Sequence, residues 1–183
     1  IRTVNSDKVF ARTDFNVANN DQLTVRHNYN NSLNDIGRPD TFEYFLPDAF
    51  YRIRNKTNST VVQLNSTFGS AVNEARVTYQ RIRDRRAGQP DEDRPFPFVS
   101  VNLSAGEVRA GRENFSTANE LDQNVIEISD DFTWLRGNHT LTIGTKNEFF
   151  DFRNLFIRDA FGSYEFASLD LLEQGLAQSF NYS

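Results

Sequence analysis

Few residues in this chain could do chemistry, and none of them forms a complete set. There are 2 histidines and no cysteine among 183 residues, which excludes thiolate metal sites, a cysteine nucleophile and a disulfide framework. His27 falls on the apolar face of an alternating run and His139 stands beside a turn; neither has ligands at zinc spacing. Carboxylates gather at Asp130-Asp131 and Glu127, and Glu127 would oppose Glu148 across a hairpin. Such a pair suits glycoside hydrolysis, yet Lys146 lies diagonally close, and a charged wall is the stronger reading. Asp91-Glu92-Asp93 offers oxygen ligands for calcium without EF-hand spacing, so a solvated loop is the plainer account. Arg81, Arg83, Arg85 and Arg86 cluster at one strand end, which suits lipopolysaccharide phosphates or, equally, an ordinary membrane-edge charge cluster. No Gly-x-Ser-x-Gly, phosphate-binding glycine loop or His-Glu-x-x-His occurs. The residues predict neither an enzyme nor a cofactor.

The elements that must position these charges are hairpins. In the segment from Asp122 to Phe152, Gly137-Asn138 offers the positive φ that a two-residue hairpin turn needs. Centring the turn there pairs Trp134 with Leu141, Phe132 with Ile143, Ile128 with Asn147 and Ile126 with Phe149. The opposite face then holds Asp131, Ser129, Glu127, Gly144, Lys146 and Glu148. Two further hairpins follow the same plan. Residues 8–17 join 22–29 through Ala18-Asn19-Asn20-Asp21, with Val17 opposing Leu23 and Asp14 opposing Arg26. Residues 60–68 join 74–83 through Gly69-Ser70-Ala71-Val72-Asn73; Val62, Leu64 and Phe68 share a face with Ala75, Val77 and Tyr79.

The connections between hairpins are long and of another character. Residues 31–57 and 85–117 contain Gly37-Arg38-Pro39, Leu46-Pro47-Asp48 and Gln89-Pro90, and 99–103 could add a short strand. In the tail, 154–183, Ser168 reads as the cap and Gly175 as the stop of a brief helix. Long structureless connections are unusual in a compact soluble domain. Short turns alternating with long loops are the plan of an outer-membrane barrel, whose strands need about ten residues to cross the bilayer.

Composition fits this plan. Apolar residues are only 38%, yet Phe occurs 17 times, so polar strands carry many aromatics. Those on the apolar faces fall at two heights: Phe15, Phe68, Phe132 and Trp134 near the short turns, and Tyr29, Tyr79 and Phe149 near the far ends. They resemble the two interfacial girdles of a membrane barrel. Arg12, Asp14, Arg26, Arg76, Glu127, Lys146 and Glu148 share the other face and would line a polar lumen. No segment is apolar enough for a membrane helix, but membrane strands give a far weaker hydropathy signal. The net charge of −5 gives no reason to expect nucleic acid. The chain is therefore read as all-β: an antiparallel up-and-down meander of transmembrane β-hairpins, part of a large outer-membrane β-barrel. The rival reading is a soluble secreted β-sandwich that binds carbohydrate or protein, in which the sequons at Asn58, Asn65, Asn114 and Asn138 would matter.

Several stretches carry a family likeness. Residues 118–134 (Ala-Asn-Glu-Leu-Asp-Gln-Asn-Val-Ile-Glu-Ile-Ser-Asp-Asp-Phe-Thr-Trp) and 137–150, with 5–15, 23–29, 63–68 and 74–77, resemble the barrel of TonB-dependent outer-membrane receptors. The closest subgroup is the Oar-like one, whose full-length members carry an N-terminal carboxypeptidase-regulatory-like domain. The likeness runs from about Asn5 to Gln174 and rests on the order and spacing of pieces that are each only moderately specific. It implies uptake of a large nutrient across the outer membrane, or a surface role in adhesion or secretion. The partners it implies are outer-membrane lipid, an unidentified ligand and a TonB-type energising complex. The chain departs from the family in starting at Ile1 without a TonB box, plug or regulatory-like domain. Six or seven strands are also few against the family's roughly twenty-two, since single-chain barrels start at about eight. An internal slice of a receptor barrel is the expectation.

Overall fold

The computed structural model describes residues 2–36, 42–88, 96–116 and 118–183. Six long strands make one antiparallel sheet: β1 (Arg2–Ala18), β2 (Asp21–Ile36), then β4 (Tyr51–Phe68), β5 (Ala71–Gly88), β8 (Ala118–Arg136) and β9 (His139–Ile157). They neighbour one another in chain order, β1-β2-β4-β5-β8-β9, so the meander expected from the hairpins is present. Between the hairpins, β3 (Glu43–Phe45), β6 (Phe98–Leu103), β7 (Gly106–Ala110), β10 (Ser163–Phe166) and β11 (Ser179–Asn181) form a second sheet, ordered β11-β10-β6-β7-β3.

The third hairpin has the register that its turn dictates, Trp134 against Leu141 through Ile126 against Phe149. Gly137 takes φ +59°, while Asn138 is not among the positive-φ residues, so only the first turn position is left-handed, as a type II′ turn requires. The second hairpin turns through Gly69-Ser70 alone, because Ala71, Val72 and Asn73 already pair with Phe68, Thr67 and Ser66. The five-residue turn expected there is too long by three, and the faces are as expected. The first hairpin turns through Asn19-Asn20, with an irregularity between Asn16 and Ala18. Its register is displaced by two residues: Phe15, not Val17, opposes Leu23, and Asp14 opposes Thr24 rather than Arg26. A slip of two changes every partner but leaves each side chain on its face.

The strands of the large sheet are 16 to 19 residues long, well beyond the ten expected. They absorb 31–36, 51–57, 85–88 and 154–157, which alternation had left in loops. The connections are correspondingly shorter and are built into the second sheet. The expected short strand is β6, and the expected helix is α1 (Leu169–Glu173), where Ser168 Oγ accepts from the Leu171 N–H at 3.2 Å. The calcium reading of Asp91-Glu92-Asp93 and the turn at Gly37-Arg38-Pro39 lie outside the described residues.

Among the described residues there is almost no core: the buried apolar ones are Ala49, Ala71, Val101 and Phe166. The apolar face of the large sheet is uncovered: Val77 is 46% exposed, Ile128 43% and Ile143 65%. A β-sandwich buries that face against a partner sheet, so the soluble sandwich reading fails on this observation.

Candidate functional site

Pairing across six strands converts the scattered charges into rows. One row on the polar face runs Asp14, Thr24, Gln63, Arg76, Ser129, Lys146. The next runs Arg12, Arg26, Val61, Thr78, Glu127, Glu148. All seven residues expected to line a lumen thus occupy two adjacent rows of one face.

The rows are cross-linked by charge-assisted hydrogen bonds. Arg12 donates to both oxygens of Asp14, at 2.9 Å each, and Thr24 Oγ1 donates to Asp14 at 2.6 Å. Arg12 and Arg26 stand directly opposite, an unfavourable like-charge pair. They are drawn apart, Arg12 to Asp14 and Arg26 to the Gln63 amide oxygen at 3.3 Å. Arg76 pairs with Glu74. Lys146 Nζ lies 2.9 Å from both Glu127 and Glu148. The two carboxylates that could have suggested a glycosidase are bridged by one ammonium. Asp130 is not with them: it lies on the apolar face, accepting from Asn73 Nδ2 at 2.8 Å. His27 Nδ1 is 2.9 Å from Thr60 Oγ1, a local side-chain pair. Among the described residues, no group of three or more His, Cys, Asp and Glu is placed to hold a metal.

The seven expected girdle aromatics all occupy the opposite face. Trp134 lies in the row of Ala71 and Leu141, Phe132 one row on, and Phe15 one row further. Tyr79 and Phe149 share a row through Ile126, and Tyr29 lies in the next. Eight residues separate Trp134 from Ile126, ~27 Å along the strand and ~21 Å of height at a tilt of ~40°. Beyond Tyr29 this same face turns from apolar to charged. The row Asp7, Asn31, Lys56, Arg83, Asp122, Arg153 is followed by Asn5, Leu33, Arg54, Arg85, Glu120, Leu155. Ion pairs tie its right half together: Arg83 to Asp122 at 3.6 Å, Arg85 to Glu120 at 3.5 Å and Arg153 to Glu120 at 2.7 Å.

Sequence reasoning missed two things. The polar face does not stay polar: far from the turns, β9 carries Phe150, Phe152 and Phe156 on it, the first two stacked with centroids 5.5 Å apart. Their even spacing along β9 was readable, but the charged rows nearer the turn dominated the pattern. Second, the inter-hairpin segments and the ends of the long strands line a partly open cavity of about 340 Å³, among others with Phe45, Phe50, Tyr51, Arg86, Arg109 and Phe115. Arg86 leaves the basic cluster it belongs to in sequence. It lies on the polar face, its guanidinium 3.8 Å over the Tyr51 ring, donating to Ser116 Oγ at 2.8 Å and pairing with Glu113 at 3.1 Å. Arg109 pairs with Glu43 at 2.9 Å and Glu107 at 2.8 Å. Burial disfavours its charge, and these carboxylates outweigh that, holding its pKa above the ordinary value. No local signal marks this cavity, because it depends on parallel pairings between distant segments, β3 with β7 and β6 with β10.

No curated protein and no solved structure matches the chain. One family model does, that of an outer membrane beta barrel domain, over residues 1–181. An uncovered apolar face, a charged opposite face and long meandering strands are what such a domain requires, and the chain belongs to the outer membrane beta barrel domain family and resides in the outer membrane.

Proposed function

We propose that these strands are part of the wall of a TonB-dependent outer-membrane receptor, of the Oar-like kind, that takes up a large nutrient. The apolar face meets lipid, with Phe15, Phe68, Phe132 and Trp134 at one interface and Tyr29, Tyr79 and Phe149 at the other. Arg12, Asp14, Arg26, Arg76, Glu127, Lys146 and Glu148 line the lumen. The short turns face the periplasm; the second sheet and its cavity stand at the outer mouth, where a ligand first meets the protein. The wall is not an enzyme and holds no cofactor. Energy reaches it through a TonB-type complex acting on other parts of the receptor.

The observation that carries this reading is the pair of charged rows on the polar face, set behind an exposed apolar band ~21 Å high, near the ~25 Å of membrane barrels. Charged rows on the inner face suit the polar lumen of a channel or receptor. The test is nutrient depletion by cells carrying or lacking the full-length gene, each with and without a protonophore. Depletion of an oligosaccharide or peptide from the medium that requires both the gene and the proton gradient is the expected result. Unaltered uptake of every nutrient, with a defect only in adhesion or secretion, would overturn it.

A further inference from the structure

The hairpin β4–β5 ends in a run of cations on the apolar face. In successive rows its same-face pairs are Thr60/Tyr79, Asn58/Arg81, Lys56/Arg83 and Arg54/Arg85, and Arg52 follows. Six cations and no carboxylate stand on this face of the two strands. Carboxylates on the flanking strands answer three of the positions unequally. Arg52 pairs with Asp35 at 3.0 Å, Arg83 and Arg85 pair with Asp122, and Arg85 also with Glu120. Arg54 is also engaged. Among the described residues neither Lys56 nor Arg81 has an ion-pair partner, and both are exposed.

These two are diagonal neighbours on adjacent strands, a relation that places backbones about 7–8 Å apart. Long side chains at that spacing converge readily on one anion, and Asn58, directly opposite Arg81, adds an amide donor. Height decides which anion. Tyr79 lies one row and Tyr29 no row below Arg81, so the cations begin where the aromatic level ends. With this face toward lipid, as the proposed function has it, that is the level of the outer-leaflet headgroups. A soluble anion would have no reason to be met on the outside of the wall at that height.

We propose that Lys56 and Arg81, with Asn58, form a binding site for a phosphate of an outer-leaflet phosphoglycolipid, whose acyl chains lie along Tyr79, Val77 and Val62. Arg83 and Arg85 are the less available cations, since carboxylates already neutralise them.

The probe is bisphosphorylated lipid A, and the readout is native mass spectrometry of the full-length protein in detergent. Wild type should retain the lipid, and Lys56→Gln/Arg81→Gln should retain at least tenfold less. The conservative Lys56→Arg should bind like wild type, and Arg85→Gln should lose less than the double variant. Heat-modifiable gel mobility reports whether each variant is folded. Should the double variant not fold, wild type alone decides: it must retain bisphosphorylated lipid A far better than the same lipid stripped of phosphate. Equal retention of the two lipids, or of lipid A by the folded double variant, would overturn the site. Competition by millimolar inorganic pyrophosphate as strong as by the lipid itself would overturn the lipid as its source. A nitroxide on Ile128→Cys separates this from failure of the wall reading. High collision with oxygen and little with a water-soluble nickel reagent place the face in lipid whatever the lipid A result; the reverse pattern overturns both.

Discussion

At the scale of single residues, the charges of the polar face are organised by local bridges. Lys146 is the clearest case, because Glu127 and Glu148 oppose each other directly and like charges in that position repel. The ammonium between them turns a repulsive pair into an attractive triad. Lys146→Met should therefore lower the urea midpoint of the reconstituted full-length protein, and adding Glu148→Gln should recover most of the loss. A double variant no more stable than Lys146→Met would show that Lys146 contributes through packing alone. Just beyond β7, Gly111 takes φ +75°, and a Cβ there would meet the Pro97 carbonyl oxygen at 1.9 Å. That contact is with backbone, so Gly111→Ala cannot be relieved by a side-chain rotation. It should disorder the second sheet, read as faster proteolysis of 96–116, while heat-modifiable mobility of the wall is kept.

At the scale of elements, a hairpin is specified by its turn and by the two faces of its strands, and the two can be tested apart. Gly137 holds a left-handed conformation with no neighbour within 4 Å of a would-be Cβ. Gly137→Val should therefore cost ~1–2 kcal/mol from backbone strain alone, seen in urea unfolding from liposomes. The faces are tested at mid-height by adjacent positions. Val77→Arg puts a charge in the lipid-facing row and should cost ~2–4 kcal/mol, whereas Thr78→Arg, on the polar face, should stay within ~0.5 kcal/mol. Equal costs would contradict the assignment of the faces. The same distinction explains what the sequence made legible. Period-2 alternation shows which residues share a face, so the seven residues expected in a lumen and the seven aromatics expected in girdles fall on opposite faces. It does not show register, since a slip of two preserves it. Only a distinctive turn fixes that, and Gly137-Asn138 did so where Asn19-Asn20 did not. Beyond the aromatic level both faces of β2 and β4 become polar, as in Asn30-Asn31-Ser32 against Asn55-Lys56-Thr57, and with no alternation these strand ends read as loops. The second sheet was invisible for a further reason: its parallel pairings join segments far apart in the chain, and only the folded chain brings them together.

At the scale of the whole molecule, the sheet has two ends. Strands β1 and β9 each pair on one side only, and β9 is exposed along nearly its whole length. In hydrocarbon every backbone N–H and C=O must find a partner within the protein, because no water is there to supply one. Six strands are fewer than the eight of the smallest single-chain barrels, so this sheet cannot close on itself around the two charged rows of its polar face. The free edge of β9 is also poorly guarded. Ile143, Phe149, Phe150 and Phe152 flank it on both faces, with Lys146 the single cation between His139 and Phe152, and a long, exposed, aromatic edge invites strand addition. Residues 1–183 refolded alone in detergent should accordingly form heterogeneous oligomers by edge-to-edge pairing, seen as a broad, heavy distribution in size-exclusion light scattering. Two charges in the middle of that edge strand, Phe149→Lys with Phe150→Glu, should shift the distribution toward smaller species by interrupting the addition. A monodisperse monomer that runs faster unheated than boiled would mean that the six strands satisfy their own edges. The inference that the wall continues into further strands would then fall.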